Sequence, residues 1–83
     1  MSELGDEIRL IRTASKIKAV KLARSLGVAR STLYAYETGA RVPSIDQARE
    51  IERICSESTG NKLVFFGRLS KLYSKTVKYT YEG

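Results

Sequence analysis

The sequence predicts a mainly α fold, in which a compact four-helix domain is followed by a C-terminal β-hairpin or strand extension. Three observations support this prediction. Apolar residues recur at intervals of three to four positions from Leu4 to Cys55, as they do in amphipathic helices. Glycine, serine and proline interrupt this spacing where helices would end or begin. After residue 60 the pattern changes to short apolar runs and alternation, which are typical of strands.

The first two predicted helices are joined by the polar link "TASK". Helix one begins near Leu4, with Ser2 as its N-cap and acidic residues in its early turns, where the helix dipole favours them. Helix two begins at about Ile17 and is short. It stops at Gly27, because glycine takes the positive φ that a helix end commonly requires.

The third and fourth helices flank an extended "ARVP" segment. Helix three runs from about Ala29 to Thr38 and ends at Gly39. Ser44 with Gln47 three positions later forms a capping box for helix four. The predicted inner face of helix four consists of Ile45, Ala48, Ile51, Ile54 and Cys55.

The C-terminal part predicts two strands, roughly residues 62–69 and 75–82. "KLVFF" is a β-favouring run, and "TVKYTYE" alternates apolar or aromatic residues with polar ones. The alternative is a fifth helix, since Leu63, Phe66, Leu69 and Tyr73 also fit a helical period, although Gly67 would lie in its middle at a cost of about 1 kcal/mol. The domain boundaries are therefore 1–60 for the helical domain and 61–83 for the extension.

The charge distribution favours a polyanionic partner. The 83 residues include 15 Lys or Arg and 9 Asp or Glu, which gives a formal charge of +6. Residues 9–41 hold eight basic residues and one acidic residue, a net charge of +7. Residues 45–61 hold two basic and four acidic residues, a net charge of −2. The positive charge is thus concentrated on the second and third helices and their surroundings.

The composition argues against several classes of protein. There is no histidine and a single cysteine, Cys55, so we expect no metal site, no cofactor and no catalysis, and Cys55 is predicted to be a buried apolar residue. No apolar run has the length that a membrane span needs, and the acidic N-terminus does not resemble a signal peptide. We expect a soluble, cytoplasmic and nucleoid-associated protein without a membrane partner.

Helices two and three form a pattern that suits double-stranded DNA. Two short helices are separated by a tight glycine turn, and the second is polar on its outer face and followed by a basic loop. Such a helix-turn-helix places its second helix in the DNA major groove, which admits one helix. Its interior positions are predicted to be Leu22, Ala23, Leu26, Val28, Leu33 and Tyr36.

On these residues the chain resembles the Cro/CI-repressor (XRE) family of regulators, which have a lambda-repressor-like fold. The resemblance rests on "LGDEIRLIR", "KLARSLGVARSTLYAYETG" and "GARVPSIDQAREIERI", with the signature E-x-G-x-R-x-P-S. It implies a helical DNA-binding domain that acts as a homodimer on a near-palindromic operator and usually represses. Family members commonly begin helix two with Ser or Thr followed by Gln, whereas this chain has Lys18 and Ala19.

The resemblance also implies the residues that contact DNA. The base-contacting positions fall on Ala29, Arg30, Ser31, Tyr34 and Ala35. The phosphate-contacting positions fall on Lys18, Ala19, Gly39, Ala40 and Arg41. Two further candidate phosphate contacts do not come from the resemblance: Lys21, which can act through its charge, and Thr38, which is predicted to face outward.

The chemistry of these side chains adds further expectations. Arg30 can donate two hydrogen bonds to guanine, and Tyr34 can pack on a thymine methyl or bind a phosphate. Tyr36 is predicted to lie in the core. Glu37 is predicted to be structural and to pair with a basic residue of helix one or the loop. For Arg41, the alternative to a phosphate contact is an ion pair with Glu37. Arg9, Arg12, Lys16 and Arg24 are predicted to form a solvated face that contributes at most to the general electrostatic field.

The C-terminal strands are predicted to form the dimer interface, because an exposed apolar edge strand must be covered or paired. The predicted contacts are Val64, Phe65, Phe66, Val77, Tyr79 and Tyr81. An alternative is an antitoxin-like interaction protein whose C-terminal strands bind a protein partner. A third hypothesis is a non-specific nucleic-acid binder that stacks the tyrosines of its basic tail on unpaired bases.

Overall fold

The computed structural model describes residues 3–61 and 63–72. Its helices in this part are α1 (Glu3–Ala14), α2 (Ala19–Leu26), α3 (Arg30–Thr38) and α4 (Ile45–Ser58), and residues 68–72 form a further short helical segment. The four helices agree with the predicted ones, except that α2 begins two residues after Ile17. None of the described helices combines the length and apolar character needed to cross a lipid bilayer.

The end of α1 is a Schellman motif with lysine at the position that usually holds glycine. Lys16 N–H donates to Thr13 C=O at 3.0 Å, and Ile17 N–H donates to Arg12 C=O at 3.2 Å. Lys16 has φ 62°, and no other non-glycine residue of the described ranges has a positive φ. The left-handed conformation costs a residue with a Cβ about 1–2 kcal/mol, so Lys16 is a strained position.

The start of α4 confirms half of the predicted capping box. Ser44 has an extended conformation, and its hydroxyl accepts a hydrogen bond from Gln47 N–H at 3.1 Å. The reciprocal bond from the Gln47 side chain is not formed, since its Oε1 atom is buried without a partner. The hydroxyl alone therefore caps α4.

The core lies where α1 and α4 pack against α2 and α3. It is built from aliphatic side chains of all four helices, together with Tyr36, Cys55 and Phe65. The closest backbone approach is at Gly5 on α1, where a Cβ atom would lie 2.6 Å from Glu37 C=O and 2.7 Å from Tyr36 C=O. Only glycine allows α1 to meet the C-terminal end of α3 at this distance.

The predicted strand over residues 62–69 is wrong. Residues 63–67 form turns, residues 68–72 are helical, and no strand occurs in the part of the chain that the structure describes. Phe65 and Leu69, four positions apart, are buried, whereas Leu63 is 71% exposed and Phe66 is 66% exposed. Gly67 has φ 84° and immediately precedes the helical segment, so it does not interrupt a helix. The second predicted strand, 75–82, lies outside the described residues.

Two buried polar side chains of α4 bind the C-terminal segment, residues 63–72, through hydrogen bonds. The buried Ser56 hydroxyl accepts a hydrogen bond from Phe65 N–H at 3.0 Å. The buried Glu52 carboxylate accepts hydrogen bonds from the N–H groups of Leu69 and Ser70, both at 2.7 Å. Glu52 thereby caps the start of the 68–72 helical segment, as an acidic group does at a helix N-terminus.

The packing of this segment predicts that Leu69→Ala lowers the free energy of unfolding by about 2–5 kcal/mol, the usual cost of truncating a buried leucine. The matched change Leu63→Ala should alter it by less than about 0.5 kcal/mol, because Leu63 is exposed. Urea denaturation of both variants measures the difference. A strand would place residues 63 and 69 on the same face. Equal losses of stability in the two variants would therefore contradict the packing described above.

Candidate nucleic-acid interface

Helices α2 and α3 are joined by a tight turn at Gly27. Gly27 has φ 74°, and Val28 N–H donates to Ala23 C=O at 3.0 Å while Gly27 N–H donates to Arg24 C=O at 3.1 Å. These two bonds form a Schellman motif that ends α2 and redirects the chain. The predicted interior positions Leu22, Ala23, Leu33 and Tyr36 are buried, and Leu26 and Val28 pack against them.

The outer face of α3 presents the predicted base-contacting residues together. Ala29, Arg30, Ser31 and Tyr34 are exposed, and Ala35 is half-buried. Tyr34 is 65% exposed, so its ring is available for contact with a ligand. Residues three and four apart lie next to one another on a helix, so Ser31, Tyr34 and Ala35 form one continuous patch.

The predicted phosphate-contacting residues lie at the two ends of this unit. Lys18 and Lys21 are exposed at the start of α2, and Ala19 is half-buried. Thr38 is exposed as the last residue of α3, and Ala40 and Arg41 are exposed in the loop that follows. The loop after α3 is held rigidly, because the N–H groups of Gly39 and Arg41 both donate to Ala35 C=O, at 3.0 and 3.2 Å. Contact with a phosphate through those two N–H groups would therefore require breaking a hydrogen bond, whereas the Arg41 side chain can make one directly.

The first turns of α2 and α3 have no side-chain caps. The N-cap residues Lys18 and Ala29 have extended backbones and make no capping hydrogen bond, in contrast to Ser44 on α4. The N–H groups in the first turn of a helix point toward any anion placed there, and the helix dipole favours negative charge. Both helix starts of the helix-turn-helix can thus accept a phosphate.

Most cations around α2 and α3 form no ion pair among the described residues, as is also true of Arg49 and Lys71, whereas two arginines elsewhere in the molecule are paired. Arg53 pairs with Glu50 and Glu57, which lowers the pKa of Glu50 through the hydrogen bond from Arg53, and Arg68 pairs with Glu7. By contrast, six cations around α2 and α3 form no ion pair within residues 3–61 and 63–72: Lys16, Lys18, Lys21, Arg24, Arg30 and Arg41. The only acidic residue between Ile8 and Pro43 is Glu37, and it is buried.

Glu37 is held by Arg12 of α1, as the prediction of a helix-one partner required. Arg12 Nε donates to Glu37 Oε2 at 2.6 Å, and Arg12 Nη2 donates to Oε1 at 3.3 Å. The alternative pair with Arg41 is not formed. Arg12 Nη1 also donates to Ile17 C=O at 3.1 Å, so one guanidinium fixes both the end of α3 and the approach to α2.

The prediction that Arg12 is solvated is wrong, and the sequence held a signal for this. Arg12 follows Ile8 by four positions, which places it beside the apolar stripe of α1. The buried residues Glu52 and Ser56 were likewise missed as structural groups of α4. No such signal marks them, because their partners are backbone N–H groups of a segment that the sequence predicts as a strand.

Cys55 lies in the core, as predicted, and desolvation by burial raises the pKa of its thiol. A thiol in this environment is a poor nucleophile, because the reactive thiolate is disfavoured. Among the residues described, no group of His, Cys, Asp and Glu side chains is arranged to hold a metal ion.

Comparison with known families agrees with this geometry. A family model described as a helix-turn-helix domain matches residues 3–56, which is more than half of the chain. The chain therefore belongs to the helix-turn-helix domain family. The match confirms the prediction that it is a DNA-binding protein of the helix-turn-helix class. No curated protein and no solved structure gave a significant match.

The ion pair predicts that Arg12→Ala lowers the free energy of unfolding by about 3–5 kcal/mol, because it leaves the Glu37 carboxylate buried without its partner. Arg9→Ala is the matched control: it removes the same charge from α1, but Arg9 is 66% exposed and lies 4.0 Å from Glu37. That control should cost less than about 1 kcal/mol. Thermal or urea unfolding distinguishes them, and similar losses would refute the structural role of Arg12.

Proposed function

We propose that the protein is a sequence-specific regulator of transcription that binds double-stranded DNA with α3 in the major groove. It acts by binding, without catalysis, as a homodimeric repressor that occupies a palindromic operator. The observation that carries this proposal is the exposed face of α3, which is flanked by unpaired cations, while the one acidic residue in residues 9–42, Glu37, is buried. The match to the helix-turn-helix family supports DNA binding.

The unpaired cations would supply most of the affinity. Lys18 and Lys21 lie at the start of α2 and Arg41 follows α3, so phosphates on both sides of one groove can be neutralised. Neutralising phosphates releases condensed counterions, and the affinity should therefore fall steeply as salt is raised. These contacts set the orientation of the domain and do not depend on the base sequence.

Arg30, Ser31 and Tyr34 would supply the sequence preference. Arg30 is the first residue of α3, the end that enters the major groove in this motif, and its guanidinium has the geometry to donate to O6 and N7 of one guanine. Tyr34 offers an aromatic edge for a thymine methyl. The small residues Ala29 and Ala35 allow the helix to approach the bases closely.

These roles predict different effects for two substitutions. Arg30→Ala should reduce the preference for the operator over random DNA by about 1–3 kcal/mol, because it removes a base contact. Lys18→Ala should weaken binding to all duplexes alike and reduce the salt slope by about 1. The operator is first selected from a randomised duplex pool, and fluorescence anisotropy then measures each variant on operator and random DNA at two salt concentrations.

Lys71→Ala, which removes one exposed charge outside α2 and α3, is the control for net charge. Equal losses on operator and random DNA for Arg30→Ala would remove the base-contacting role assigned to Arg30. If the selection yields no preferred sequence, the protein binds DNA electrostatically and is not a sequence-specific regulator.

The dimer is proposed to form through the C-terminal segment. Val64 and Phe66 are exposed apolar residues there, whereas Phe65 packs in the core of its own chain. The other residues predicted for this interface, Val77, Tyr79 and Tyr81, lie outside the described part of the chain. On a palindromic operator, the two α3 helices of such a dimer would have to enter successive major grooves, about 34 Å apart.

This proposal predicts that Phe66→Glu produces a folded monomer with weakened operator binding. Leu10→Glu, which places the same charge on an exposed apolar position of α1, should remain dimeric. Light scattering gives the mass, and circular dichroism verifies the fold. A Phe66→Glu variant that remains dimeric contradicts this interface, and wild-type protein that is monomeric at all concentrations contradicts the homodimer.

A further inference from the structure

We propose that Lys16 is a further phosphate-contacting residue, one that the positions implied by the family resemblance do not include. This inference rests on the proposed binding of double-stranded DNA. It starts from the backbone: Lys16 has φ 62° at the end of α1, in a motif where glycine would remove the strain. The backbone conformation therefore gives no reason for a side chain at this position.

The position of Lys16 is fixed by its neighbours. Ser15 is 6% exposed and Ile17 is 7% exposed, so the residues on both sides are anchored in the domain. The carbonyl of Ser15 accepts a hydrogen bond from the Ser58 hydroxyl at 3.2 Å, and that of Ile17 accepts one from Arg12. Lys16 itself is exposed and has no ion-pair partner among the described residues. The backbone of Lys16 is therefore fixed, and its ammonium, on a flexible side chain, is available to a ligand nearby.

The positive charge around Lys16 favours an anion as the ligand that this side chain would bind. Lys18 is two residues away at the uncapped start of α2, and Lys21 follows one turn later. Three exposed lysines beside a helix N-terminus attract phosphate through both charge and N–H groups. Because α2 packs against α3, the proposed recognition helix, the anion that fits is a phosphate of the same DNA duplex.

A competing explanation is that Lys16 stabilises α1 through the negative end of its helix dipole. The two explanations differ in what Lys16→Gly does. If the lysine serves the dipole alone, its removal affects folding and leaves DNA binding unchanged apart from net charge. If it contacts phosphate, its removal weakens DNA binding while the glycine relieves the backbone strain.

The test titrates wild type, Lys16→Gly, Lys16→Arg and the charge control Lys71→Gln with a random-sequence duplex at several salt concentrations. Lys16→Gly should bind about eight-fold more weakly near 0.1 M salt, with a salt slope lower by about 0.9, the effect of one lost phosphate contact. Its melting temperature should be no lower than that of wild type. Lys16→Arg should bind like wild type, and Lys71→Gln should lose less than about two-fold, since only its distant charge is removed.

Two results would overturn the proposal. One is a Lys16→Gly variant that binds the duplex as tightly as wild type. The other is a Lys71→Gln variant that loses as much affinity as Lys16→Gly, since the effect would then be one of net charge. In both cases wild type still binds DNA, so the proposed function stands; wild type that binds no duplex would overturn both.

Discussion

The placement of the proposed DNA-binding surface depends on the ion pair between Arg12 and Glu37. Three donors of one guanidinium are used: two on the Glu37 carboxylate at the end of α3, and one on Ile17 C=O before α2. Replacing either partner would leave a charge or a carbonyl without its hydrogen bonds. Because a buried ion pair forms only with good geometry, it orients the two helices as well as holding them together. Gly5 completes the arrangement by letting α1 lie directly against the end of α3.

The helices could be predicted from the sequence because their signals are local. Apolar spacing, the glycine at 27 and the serine cap at 44 act within one or two turns of the chain, and each is found where predicted. The exposed face of α3 followed from the same periodicity. The roles of Arg12 and Glu52 could be predicted less well, because a charged side chain is buried only when a partner from a distant part of the chain meets it.

The C-terminal segment shows why a short apolar run is ambiguous. "KLVFF" has high β propensity, but propensity for strands depends strongly on the tertiary context. Here that context is α4, which offers Ser56 and Glu52 as acceptors for N–H groups of the segment, together with space for Phe65 and Leu69 in the core. A strand would present every second residue to the core and would leave Glu52 without the helix start that it caps. The buried Glu52 carboxylate thus stabilises a helical conformation of residues 68–72 relative to a strand.

The same charges that would bind DNA oppose one another in the free protein. Residues 9–41 carry a net charge of +7, and the one acidic residue among them is committed to Arg12. Two helix starts in this region also lack caps, and each missing cap costs about 1 kcal/mol of stability. A polyanion would relieve the repulsion and occupy both helix starts, so binding and folding should reinforce each other. The free domain is accordingly less stable than its fold allows, and the features that lower its stability are the ones that a phosphate backbone would satisfy.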